Sequence, residues 1–208
     1  MDTMTVTRGL AELKLLDSRI TKQVENSIFV DMYQKRNKQA MGAGIPMEEF
    51  EARAKEGYQS TVDLIKRRAA IKSAIMKSNA TTLVTIGGEE MFVMDAIEMK
   101  NSIQYKQNLL SRMKSQQVTI KKYMDQNKSK LDEQVRELVE KNIGTERKID
   151  PDYYKTIATP FIEANETKIC DPLEIGKKIE EMDKSIDTFN SEVDFILSES
   201  NAKTEINI

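Results

Sequence analysis

The chain predicts a mainly α-helical fold of long antiparallel helices, bundle-like or coiled-coil-like, with one small β-hairpin. Three observations carry this. Charged residues make up 32% of the 208 and aromatics only 6%, with no Trp, which suits long helices that each bury one stripe better than a thick globular core. Apolar residues recur every three or four positions over most of the length. One short stretch rich in Thr, Val and Ile breaks that rhythm around Gly87-Gly88.

The organisation expected is a single elongated helical domain over 1–208. Residues 1–30 form the first helix, with Thr7 placed to cap it and Leu10, Leu13, Leu16, Ile20, Val24 and Ile28 on one face. Residues 31–46 carry Gly42, Gly44 and Pro46 and read as a loop or an oligomer-contact arm. A second helix spans 47–79. Pro46 suits its start, Glu48, Glu49 and Glu51 favour the positive end of its dipole, and Phe50, Ala54, Tyr58, Val62, Ile65, Ala69 and Met76 form its stripe.

Residues 80–93 are the hairpin. Ala80–Ile86 is one strand, Gly87-Gly88 tolerates the positive φ of a two-residue turn, and Glu89–Val93 returns. The long helix covers 94–143, with Ile103, Leu110, Gln117, Met124, Leu131 and Leu138 spaced by seven and Met113 and Ile120 between them. Gly144 is its expected stop. Some 50 helical residues extend ~75 Å, so part of the seam needs another chain or the C-terminal helix against it.

Residues 144–172 contain Pro151 and Pro160 and read as a loop or short helices, with Glu166–Cys170 a candidate short strand. The helix over 173–197 has a clean stripe: Ile175, Ile179, Met182, Ile186, Phe189, Val193 and Ile196. Ser198–Lys203 reads as a turn. Thr204–Ile208 alternates as a strand does and is available to cover an edge of the hairpin as a third strand.

Ile75, Lys77, Asn79 and Thr82 around the hairpin, then Ala96, Ile97, Lys100 and Asn101 after it, resemble the motifs of the septicolysin-like family of small helical bacterial and phage proteins. Lys stands where that family has Arg, and Asn101 where it has Asp. The run Ile179–Ile186 is similar to the family's closing helix. The resemblance implies a helical, oligomeric fold without enzymatic activity. Its cytolysin-like label finds no membrane-inserting segment to support it.

Composition bounds the chemistry. The net charge of −2 argues against general nucleic-acid binding. The single cysteine, Cys170, excludes an internal disulfide and suits a reducing compartment. The N-terminus lacks the apolar core of a signal peptide, and no apolar run approaches the roughly 20 residues of a membrane span. Together these point to the cytoplasm, or to a host's cytoplasm for a phage protein. The absence of His removes Ser-His and Cys-His nucleophiles and ordinary zinc sites. No phosphate-loop or dinucleotide motif occurs. No catalytic residue, metal ligand or cofactor is predicted.

One cluster stands apart. Arg68 and Lys72, four residues apart, fall inside the arc bounded by Leu64, Ile65, Ala69, Ile75 and Met76, whereas Lys66, Arg67 and Lys77 lie away from it. A buried cation must be paired or meet an anion. Either these two pair with Glu98, Asp95 or a neighbouring chain, or snorkel at the stripe edge. Or they form an anion pocket at the hairpin mouth, completed by Asn79, Thr81, Thr82 and Lys100. The second reading makes the chain a non-catalytic homo-oligomer that sequesters a small phosphate-bearing ligand, such as a nucleotide immune signal, after the manner of phage anti-defence sponges. The alternative is a structural or scaffold protein of a virion or assembly, acting only through helix–helix contacts. Neither reading involves a membrane.

Overall fold

The computed structural model describes residues 2–143 and 151–208, and the protein is mainly α-helical. Gly144, the expected helix stop, lies outside the described residues. The chain divides into two compact units, one of Met1–Asn101 with Thr188–Ile208, the other Ser102–Asp187.

In the first unit, β1 (Thr3–Thr5) leads into α1 (Val6–Asn26). The cap is Thr5 rather than Thr7, its hydroxyl accepting from the Arg8 amide. The buried face of α1 is Val6, Gly9, Leu13 and Leu16, while Leu10, Val24 and Ile28 are exposed. The expected stripe was displaced because Gly9 sits on the true one. A Cβ there would stand 3.1 Å from Ile206 Cδ1 and 3.3 Å from Ile75 Cδ1, so glycine permits a close approach that counting large residues misses.

Residues 27–46 form an arm clasped by Asp31. Its carboxylate accepts from the amides of Met32 (2.7 Å), Gly42 (3.0 Å) and Ala43 (2.8 Å). These bonds, Ala43's foremost, hold the Asp31 carboxyl below the usual carboxylate range.

α2 (Met47–Asn79) packs on α1. Its buried residues are Phe50, Thr61, Ile71 and Ile75, with Leu64 and Ala74 partly covered. The expected Tyr58, Ile65, Ala69 and Met76 are exposed. Here too the true face carries residues that do not look apolar. Thr61 is hidden because its hydroxyl donates to the Gly57 carbonyl at 2.7 Å. Met4, Val6, Leu13, Leu16, Ile71, Ile75 and Ile206 form one buried core cluster of this unit.

The hairpin is β2 (Leu83–Ile86) paired with β3 (Glu89–Phe92), turning on Gly87 and Gly88 at φ 61° and 82°. Ala80–Thr82, expected in the first strand, instead unwind α2, the amides of Thr81 and Thr82 donating to the Ser78 carbonyl. The C-terminal strand β4 (Glu205–Asn207) exists, but it pairs with β1 rather than with the hairpin, Met4 opposite Ile206. That partner lets both side chains enter the α1–α2 core together.

α3 (Val93–Ile143) and α5 (Ile175–Lys203) each contribute to both units. Within the second unit, Leu110 and Met113 of α3 pack on Ile179 and Ile186 of α5. Val135 and Val139 pack on Ala158 of α4 (Pro151–Asn165), with Leu131 and Phe161 beside them. Both ends of the seam are therefore covered within the chain. Of the expected loop or short helices, the described part of this region holds the single 15-residue helix α4. Pro151 occupies a first-turn position, and Pro160 lies inside the helix. Glu166–Cys170 is irregular rather than a strand, and α5 continues through the expected turn at 198–203. Its start is fixed by the Asp171 carboxylate, which accepts from the Ile175 amide at 2.9–3.0 Å.

Candidate interaction face

Arg68 lies on the α1-facing side of α2, half-buried, and hydrogen-bonds the Asp17 carboxylate. That bond raises the guanidinium's pKa and lowers the carboxyl's. The partner is thus on α1, not Glu98 or Asp95. Lys72 is exposed, because its position has turned away from the buried Ile71–Ile75 face. Asn79 and Thr82 are half-buried where α2 unwinds, and the Thr81 hydroxyl donates back to the Lys77 and Ser78 carbonyls. Lys100 pairs with Asp194 of α5. Two of the three cations expected at an anion site therefore already carry a carboxylate.

Arg67, expected to face solvent, is the better-anchored cation. Its Nε donates to Glu12 at 2.9 Å and its Nη2 to Asp2 at 2.7 Å, tying the N-terminal segment and α1 to α2. Glu12 first and Asp2 second raise its pKa.

A different site emerges in the second unit. On α3, Tyr105, Leu109, Arg112, Gln116, Ile120 and Tyr123 share one face at about 100° per residue. Its four large apolar members remain open to solvent: Tyr105 77%, Leu109 51%, Ile120 44% and Tyr123 56% exposed. This face lies beside the seam that buries Leu110 and Met113.

Adjoining it is a mainly apolar groove of about 650 Å³ between α3 and the segment before α5. Ile120, Ile169, Pro172, Leu173 and Ile175 supply its apolar wall, and Arg112 and Lys121 stand at its margins. None of the six residues expected to bind an anion lines it. Asp171 also lines the groove, but its carboxylate is engaged in capping α5.

The surrounding helix is strongly basic. From Ser102 to Lys130 there are seven Lys or Arg and one acidic residue, Asp125. Lys114 is paired with Asp183 at 2.8 Å. Arg112, Lys121 and Lys122 are exposed. The near-neutral charge of the whole chain conceals this run, and a charge count over a 30-residue window would have found it.

No described helix is long and apolar enough to cross a membrane, and no cluster of three or more His, Cys, Asp or Glu suited to a metal occurs among the described residues. No family model matches the chain, and neither curated proteins nor solved structures give a match.

Proposed function

We propose that the protein is a non-catalytic helical interaction protein that holds another macromolecule on the uncovered face of α3. The observation that carries this is the set of four large side chains, Tyr105, Leu109, Ile120 and Tyr123, exposed at helical spacing beside an apolar groove. Covering one such side chain fully is worth ~1.5–3 kcal/mol, so a partner that fits gains a sizeable driving force from this face alone. This is the scaffold reading of the sequence, carried by a specific surface.

Capture of a small phosphate-bearing ligand by a homo-oligomer is the second reading. It retains Lys72, which is exposed, and the half-buried Asn79 and Thr82 nearby in sequence. It ranks second because Arg68 and Lys100 are engaged by Asp17 and Asp194.

Thermal denaturation with a panel of cyclic and linear nucleotides separates the two. A sequestering protein melts at a temperature that climbs with ligand concentration, by ~2.7 kcal/mol of added stability at a hundredfold excess over Kd. The interaction reading expects no shift with any nucleotide. A concentration-dependent rise that Lys72→Met removes would overturn it.

A further inference from the structure

Building on the interaction reading, we propose that the partner presents an acidic amphipathic helix, its apolar side seated in the groove beside Ile120 and its carboxylates meeting Arg112 and Lys121. Two independent features of this surface define that occupant.

The first is shape and polarity. Ile120, Ile169, Pro172, Leu173 and Ile175 form an apolar trough along α3, of the kind filled by side chains at i, i+3, i+4 and i+7 of an amphipathic helix. Leu109, Tyr105 and Tyr123 extend the apolar surface along the helix on both sides of the groove.

The second is charge. Arg112 and Lys121 both line the groove and are nine positions apart, about 13.5 Å along the α3 axis. No acidic residue occurs between Ser102 and Met124. Asp183 is paired with Lys114, and Asp171, which lines the groove, caps α5. Among the described residues, neither Arg112 nor Lys121, both of which line the groove, forms a salt bridge. Carboxylates on a partner supply the counter-charge, and Arg112 is suited to a forked, two-bond contact.

Charge argues against one other occupant and the apolar trough against a second. A second copy docked face to face would bring two basic runs together, and like charges across an interface oppose association. Nucleic acid would satisfy the cations but leave the apolar trough in water.

The test uses the full chain, labelled with 15N and with 13C at its Ile and Leu methyls. It is titrated with two synthetic 18-residue helical peptides of identical Leu spacing, one flanked by Glu and one by Lys. The Glu-flanked peptide is expected to shift the methyls of Ile120, Ile169 and Leu173 saturably, and the Lys-flanked peptide to bind at least tenfold more weakly. R112E/K121E, at two exposed positions, is expected to keep the melting temperature and reverse that preference. Equal binding of both peptides at these methyls would overturn the acidic-partner inference and leave the interaction face standing. If neither peptide shifts them at millimolar concentration, both fail. A 20-nucleotide single strand that displaces the Glu-flanked peptide from Ile120 at equal concentration would overturn the proposal in favour of nucleic acid. Concentration-dependent shifts of these methyls without any peptide, abolished by Ile120→Asp, would overturn it in favour of self-association.

Discussion

Arg67 and Arg68 are adjacent in sequence and do different work. Arg67 joins three segments through Glu12 and Asp2, whereas Arg68 makes one bond between two helices, Arg68 half-buried and its partner Asp17 exposed. Arg67→Met is expected to lower stability by ~1 kcal/mol, a few degrees in melting temperature. Arg68→Met should move the melting temperature less, and circular dichroism melts of the two variants check the ranking. The low carboxyl pKa of Asp31 has a pH consequence. A depressed folded-state pKa means that the ionised carboxylate stabilises the arm above the ordinary Asp value of about 3.9, and that this contribution is lost as pH falls through the lower folded value. The amide resonances of Met32, Gly42 and Ala43 should therefore titrate together below about pH 3.9, and Asp31→Asn should abolish that titration. The inward position of Arg68 was legible from spacing alone, since it follows from the helical repeat. Ion pairing was one of the two readings the sequence offered for it, but the partner was not legible, because Asp17 is 51 residues away in the chain and only the α1–α2 packing brings them together.

At the scale of elements, the buried stripe of α5 was legible from Ile175 to Ile196, because its positions are large apolar residues, although the helix runs on through the turn expected at 198–203. The span of α2 was legible to the residue, but the buried faces of α1 and α2 were legible only in part, because glycine and threonine occupy places on them. A pattern that counts only bulk slides onto the neighbouring stripe. Gly9 provides the test. Gly9→Leu drives a large side chain into the ends of Ile75 and Ile206 and is expected to cost ~1–3 kcal/mol or more by overpacking, measured by urea denaturation. Ile206→Ala removes a buried side chain from the β1–β4 pair and should cost ~2–4 kcal/mol. Equal stability of the native chain and both variants would contradict the placement of β4 over α1 and α2. The β1–β4 pairing itself was only half visible: the C-terminal alternation showed, but three residues at Thr3–Thr5 are too few to announce a strand.

Across the whole molecule, charge is distributed unevenly along a nearly neutral chain. The basic run of Ser102–Lys130 coincides with the stretch of α3 that carries the exposed apolar face. Association through this face should weaken as ionic strength rises, since exposed charge pairs are screened over ~10 Å at 0.1 M salt, while the apolar contribution persists. Replacing Leu109 and Ile120 together with Ser should leave thermal stability within about 1 kcal/mol, because both side chains are already about half in water, and should remove binding. The central claim is that this face holds another protein. Its most direct test is a photo-crosslinking amino acid at Gln116, which lines the groove, in cells that naturally produce the protein, with Lys55 of α2 as an exposed control position. The account predicts a discrete protein adduct from position 116, absent from position 55, whose crosslinked segment is helical in pattern and acidic. No adduct at 116 beyond that at 55 would contradict it.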